Sequence, residues 1–205
     1  MTTREAEETL GVIRTLMERS THYRNLSGNA GIAAGTAALV GGALRHWAHT
    51  PFYPTWMAVL LFACGASLYF TGEMARAGGE PVWSRQAQTI VAALLPAFVA
   101  AGVLTVILER TGLRALLPGV WMLLWGVAAL AMSFFTPRVV GLLGGAFLVA
   151  GSLTLLAGSG TWSDAACMAA TFGLMHLAYG FVLIVLRPRR AMMDKGSSND
   201  RSRAF

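Results

Sequence analysis

From residue 88 to residue 108 the chain runs QTIVAALLPAFVAAGVLTVIL, with no Asp, Glu, Lys or Arg anywhere in it. An α-helix rises about 1.5 Å per residue, so roughly 20 such residues cross the ~30 Å hydrocarbon core of a bilayer. A charged side chain in that core is expensive, and its absence over this length is the mark of a transmembrane helix. Five more stretches, 26–44, 55–72, 117–135, 139–157 and 164–186, read the same way, with no charge in their interiors. The expected fold class is all-α: an integral membrane bundle of six transmembrane helices.

Composition agrees. Of 205 residues, 55% are hydrophobic and 13% charged, half the charged share of an ordinary soluble domain. Six spans leave short connections, two modest termini and no length for a second folded domain. Residues 1–25 are expected as a cytoplasmic amphipathic helix, 26–186 as the transmembrane domain and 187–205 as a disordered basic tail. In the first segment Thr2 and Glu5 fit a capping box. Leu10, Ile13, Leu16 and Met17 recur at helical spacing, opposite Arg4, Glu8, Arg14, Glu18 and Arg19. The mixed charge and the lack of an early apolar run separate it from a secretory signal. Cys64 and Cys167 both fall inside apolar stretches with no CxxC spacing, and read as small core residues.

The net charge of +6 does not point to nucleic acid. Under six spans, thirteen of the sixteen basic residues fall in the N-terminus, the 2–3 and 4–5 loops and the C-terminal tail. Basic residues stay on the cytoplasmic side, so both termini are expected there, against anionic lipid.

Internal similarity runs through the spans. Ile32-Ala33-Ala34-Gly35-Thr36, Val99-Ala100-Ala101-Gly102-Val103-Leu104-Thr105 and Leu148-Val149-Ala150-Gly151-Ser152-Leu153-Thr154 align in spans 1, 3 and 5. Trp56-Met57 with Phe70-Thr71 matches Trp121-Met122 with Phe135-Thr136 in spans 2 and 4, and Trp162 opens span 6. Three tandem hairpins (1–2, 3–4, 5–6) would produce this pattern; so would the frequent Ala, Gly and interfacial Trp of any membrane helix. Gly31-x-x-x-Gly35 and Gly141-x-x-x-Gly145 are expected to let helix backbones approach closely, within one chain or in a homo-oligomer.

Few side chains carry chemistry. His176 stands near the middle of span 6, with Gly173, Tyr179 and Gly180 beside it. His176, Tyr179, Thr105 and Thr154 form the candidate mid-membrane polar site, with Pro96 and Ser152 as further lining. The imidazole would serve as a haem ligand, a proton-handling group or a substrate contact, or simply hydrogen-bond to a Ser, Thr or Tyr on a neighbouring helix. A haem would need a second axial ligand, for which only Met132, Met168 and Met175 stand at comparable depth. His46 and His49, with Glu109, make a weak metal set beside the interfacial reading that Trp47 favours. Glu73, Arg76, Glu80 and Arg85 make the 2–3 loop the most charged internal segment: exposed ion pairs, or a dock for the N-terminal helix. There is no GxxxxGK[ST], GxSxG or HExxH, and no intramembrane carboxylate of the kind that ion-coupled transport uses. Neither enzymatic activity nor a cofactor or metal is expected.

Met17-Glu18-Arg19-Ser20-Thr21-His22-Tyr23-Arg24-Asn25-Leu26-Ser27-Gly28, leading into span 1, resembles the N-terminus of small uncharacterised six-span bacterial membrane proteins. The span 6 ending, Gly173-Leu174-Met175-His176-Leu177-Ala178-Tyr179-Gly180, is similar to theirs. The resemblance implies a bacterial inner membrane and six helices, and carries no activity. Three tasks fit these features. The first is an accessory, sensing or regulatory subunit with a protein partner docked on residues 1–20. The second is a passive or exchange-type carrier of a small neutral or apolar molecule. The third is a redox subunit holding haem or quinone at His176.

Overall fold

The computed structural model describes residues 26–158 and 163–185. The expected N-terminal amphipathic helix, Trp162 and the basic tail lie outside them. Within them the apolar runs form six long helices: α1 (Gly28–Trp47), α2 (Phe52–Ala77), α3 (Arg85–Arg110), α4 (Leu117–Ser133), α5 (Arg138–Leu156) and α6 (Asp164–Val185). No strand occurs among the described residues.

The helix ends follow from local chemistry. Ser84 caps α3 by accepting from the Ala87 N–H at 3.2 Å, and Ser163 caps α6 by accepting from the Ala166 N–H at 3.1 Å. Pro51 and Pro137 precede α2 and α5, where a missing N–H costs nothing, and Pro118 sits in the first turn of α4. Gly112, at φ +74°, turns the chain between α3 and the short 3-10 turn Arg114–Leu116 that leads into α4.

Helices α2 to α6 are each long and apolar enough to cross a membrane. α1 has the length, at 20 residues or about 30 Å. Its Gly and Ala content makes it less apolar, because the face they occupy is spent on a neighbouring helix rather than on lipid.

Packing departs from simple adjacency. α1 packs on α2 and α6, while α4 packs on α3 and, most extensively, on α5. α2 meets α3 only slightly, and so does α5 with α6. Of the expected hairpins, 1–2 and 3–4 are closely packed and 5–6 is not.

The two tightest pairs, α4 with α5 and α1 with α6, are built alike. A Cβ added at Gly126 would lie 2.9 Å from the Gly144 carbonyl oxygen, and one at Gly144 would lie 2.9 Å from that of Gly126. Gly119 and Gly151 meet in the same way at 3.2 and 2.9 Å. In the other pair Gly28 faces Gly180 at 2.6 Å and Gly35 faces Gly173 at 2.7 Å. Any side chain there would enter backbone, so glycine is required for contact rather than for conformation. Each glycine receives a Leu or Ile that stands four residues after a glycine of the opposite helix. Leu130 covers Gly144, Leu148 covers Gly126, Ile32 covers Gly180 and Leu177 covers Gly35. The sequence pattern is Gly-x3-[Leu/Ile]-x2-Gly-x3-[Leu/Ile], and it stands in α1, α4, α5 and α6. Glycines seven apart keep two antiparallel helices in register over two turns, as a heptad seam does.

The expected motif on α5 is displaced by this register. Gly145 has nothing within 4 Å of an added Cβ, and Gly141 meets only the Ser133 side chain. Gly144 and Gly151 make the contact, because α4 lies on the face they share. Gly31 and Gly35 do pack as expected, against Gly180 and Gly173 of α6. Gly126→Val should therefore destabilise the protein by about 1–3 kcal/mol, as overpacking does. Gly145→Ala, inside a helix with open space at its Cβ, should leave stability unchanged or raise it by up to about 1 kcal/mol; thermal unfolding of the two purified variants in detergent checks the contrast.

Candidate functional site

Where α2 and α3 stand apart, a cleft of about 320 Å³ enters the bundle. Its walls are almost wholly apolar and come from five helices. Ala34 and Ala38 belong to α1; Trp56, Met57, Leu60 and Ala63 to α2; Phe98, Ala101, Gly102 and Thr105 to α3. Trp121 and Trp125 come from α4, and Met168, Phe172 and His176 from α6. Tyr53 and Val106 also line it and are 47% and 51% exposed, so the cleft opens onto the outer surface of the bundle.

Two interrupted helices shape it. Pro96 removes the hydrogen bond that would reach Ala92 in α3 and stands just before Ala97 and Phe98, both in the wall. In α6 the segment Ala169–Met175 is wound as a π-helix, which widens the turn that carries Phe172. Such segments collect at functional sites, and in membrane carriers broken helices mark the binding region.

At the inner end of the cleft stands an aromatic box around His176. Its ring stacks on Phe172 at 6.1 Å and 11°, and meets Phe147 at 5.4 Å and Trp125 at 5.5 Å. Trp125 is edged in turn by Phe98 at 6.0 Å. The imidazole interacts with the Phe172 carbonyl one turn back, yet Nδ1 has no well-formed hydrogen bond. The indole Nε1 atoms of Trp56 and Trp125 also lack a protein partner. All three nitrogens are buried, in residues that line the cleft. A buried unsatisfied group costs roughly 1–3 kcal/mol, so three around one cavity form a local reserve of unused polarity.

Thr105 supplies the polar contact between helices. Its hydroxyl donates to the Ala101 carbonyl at 2.6 Å and accepts from Trp121 Nε1 at 2.8 Å, tying α3 to α4. Beyond it Trp121 meets Phe52 at 5.7 Å, and Phe52 meets Trp56 at 6.4 Å. Arg45 closes this end. Its guanidinium donates to the Thr50 carbonyl and to Asp164 Oδ2, the latter at 2.5 Å, and lies 5.8 Å from the centre of the Phe52 ring. One half-buried cation thus joins the end of α1, the 1–2 loop and the starts of α2 and α6.

The expected polar site is divided. His176 and Thr105 line the same cleft. Tyr179 faces a second apolar cluster with Ile90, Ala129, Met132 and Val140, and packs against Gly31. Thr154 bonds back to the Ala150 carbonyl at 2.8 Å and rests on Met122, outside the cleft wall. Ser152 is exposed and does not line the cleft. The helical period accounts for this: Tyr179 is three residues beyond His176, some 60° around the helix, and so serves the neighbouring face. His176 is surrounded by aromatic rings rather than by the hydroxyls expected of a neighbouring helix. Glu109 is held by Arg114 through three contacts of 2.6 to 3.0 Å, and His46 packs its edge on Trp47 at 5.8 Å. No three potential metal ligands gather among the described residues.

Sequence reasoning missed the aromatic wall and the Arg45–Asp164 pair. Arg45 follows directly on the apolar run 26–44, and its partner stands 119 residues away, beyond the reach of local pattern. Searches against family models, curated proteins and solved structures find no match to this chain.

The arrangement suits the binding of an apolar molecule, with weak polar contacts available beneath the surface. The Arg45–Asp164 pair should behave as a coupled unit. A double-mutant cycle with Arg45→Ala and Asp164→Ala should give a coupling energy of about 1 kcal/mol in unfolding measurements, as expected for a half-buried pair.

Proposed function

We propose that this protein binds a small neutral or apolar molecule inside the bilayer and exchanges it across or along the membrane as a passive carrier. The single observation that carries the reading is the apolar cleft of about 320 Å³, flanked by the two interrupted helices α3 and α6. That volume lies within the range of small-molecule sites, and the lining matches their usual composition of aromatic and aliphatic side chains with few polar groups. Passive exchange fits a cleft whose wall, among the described residues, carries no carboxylate, lysine or arginine and has His176 as its one titratable imidazole.

The topology belongs to the same proposal. α1 is taken as a sixth span, which puts both termini on one side, and the distribution of basic residues favours the cytoplasm for that side; a bacterial inner membrane is what the resemblance of residues 17–28 and 173–180 implies. The accessory-subunit reading rests on residues 1–20, which lie outside the described part of the chain. For the haem reading, aromatic rings stand nearest His176, and Met168, a candidate second axial ligand, lines the same cleft.

1-Aminoanthracene, a neutral fluorescent apolar molecule, tests the binding reading. Purified protein in detergent should enhance its emission saturably, and Ala101→Trp, which fills the cleft, should weaken binding at least tenfold. Undiminished binding by that variant would sink the proposal. For topology, single cysteines in a chain lacking Cys64 and Cys167 should react with a membrane-impermeant thiol reagent in intact cells at Ser159→Cys and fail to react at Ser197→Cys.

A further inference from the structure

The cleft occupies the place of a helix crossing that is not made. In even-numbered helices Gly65, Gly119 and Gly173 recur every 54 residues, and Gly72, Gly126 and Gly180 recur in step with them. In odd-numbered helices Gly35, Gly102 and Gly151 share the Ala-Gly alignment. The position seven residues before each holds Gly28, Leu95 and Gly144. The two built crossings each join an odd helix to the even helix before it in a ring: α5 to α4, and α1 to α6. The same rule predicts a third crossing, α3 to α2, with Gly102 against Gly65 and Leu95 where the rule asks for a glycine. Neither Gly65 nor Gly102 has anything within 4 Å of an added Cβ. The side chains that would act as knobs, Tyr69 on α2 and Val99 and Val106 on α3, are 61%, 57% and 51% exposed.

Resting on the reading of the cleft as a binding site, we propose that its ligand is the hydrocarbon chain of a membrane lipid, admitted sideways through the open α2–α3 seam. Three considerations lead there. The seam lies between two helices whose outward faces are those of membrane spans, so the medium it opens onto is acyl chain. Water entering the cleft would find too few polar partners to stay, whereas hydrocarbon loses nothing on entry. An extended chain also replaces what a helix crossing would supply: contact along two apolar helix faces whose small residues, Gly102 and Ala63, leave room for a slender occupant. Leu95, in the place of the missing glycine, is 57% exposed, and a Cβ added at Gly72, the position it would face, would meet only Val82.

Quenching by lipids brominated along the acyl chain reads this contact directly. The full chain, with Trp47, Trp83 and Trp162 replaced by Phe, keeps Trp56, Trp121 and Trp125 as reporters in the cleft wall. In vesicles of brominated phosphatidylcholine their emission should fall several-fold relative to unbrominated lipid. Gly102→Leu and Ala63→Leu, which fill the seam from its two sides, should each restore at least half of the lost signal. Gly102→Leu adds its side chain where nothing stands within 4 Å, so folding is spared. Equal quenching in parent and both variants would overturn acyl-chain entry. The same variants titrated with 1-aminoanthracene in detergent separate the two levels. If they exclude the probe while bromolipid quenching stays unchanged, the cleft binds ligands but not lipid chains. If neither signal changes, both readings fall.

Discussion

Close approach of backbone to backbone is the constraint on which this fold depends. Inside a bilayer, burying apolar surface gains little, because lipid is as apolar as leucine; helices hold together through dispersion and the fit of their surfaces. Glycine lets two helices come within contact of each other's peptide groups, and a Leu or Ile of the partner then fills the shallow hole above it. This chain makes that arrangement four times along two pairs, at Gly119, Gly126, Gly144 and Gly151 and at Gly28, Gly35, Gly173 and Gly180. α1 and α4 become the central helices because each carries such a face and a second packed neighbour.

From the same rule comes the opening. A ring with two such crossings tightly made and one unmade is open along the seam between α2 and α3, and the cleft enters there. The π-wound turn of α6 and the proline of α3 stand beside that seam, and the aromatic box around His176 forms its inner wall. Polarity is kept close without reaching the surface. Thr105 and Trp121 satisfy each other, whereas Trp56 Nε1 and Trp125 Nε1 have no protein partner and His176 Nδ1 has no well-formed hydrogen bond. Stable interiors rarely tolerate such groups in number, and their gathering around one cavity sets this region apart from the well-satisfied pairs elsewhere.

Much of the fold was legible in the sequence, because length and charge alone define helices in lipid. The apolar runs mark out all six helices to within a few residues, and Gly31 and Gly35 correctly indicate a packed face. The glycine motif on α5 was expected at Gly141 and Gly145 and the contact falls on Gly144 and Gly151, because a Gly-x-x-x-Gly spacing repeats every four residues while the actual seam repeats every seven. The 54-residue recurrence of Gly65, Gly119 and Gly173 was present all along but hidden by the more conspicuous tryptophans, which align at a different offset. The candidate site was half legible. His176 announces itself as a lone imidazole in an apolar run, and Thr105 as a hydroxyl in another. That Tyr179 and Thr154 face elsewhere depends on which helices meet, and apolar sequence says little about that. Phe98, Trp125 and Phe172 gave no signal, since an aromatic residue in a membrane helix looks the same whether it faces lipid, core or cavity.

The pairing of α1 with α6 also bears on how the chain is made. α1 is synthesised first and is the least apolar of the six, with its small residues shaped for a partner that emerges last. Until α6 arrives, that glycine face has nothing to close upon, and Arg45 waits for an aspartate 119 residues further along the chain. The two ends of the helical region are thus joined only after the other four helices have been made. The opposite pair, α4 with α5, is consecutive and can form as soon as it enters the membrane. Assembly therefore has a direction: the inner pair is settled early and the ring is closed from its ends.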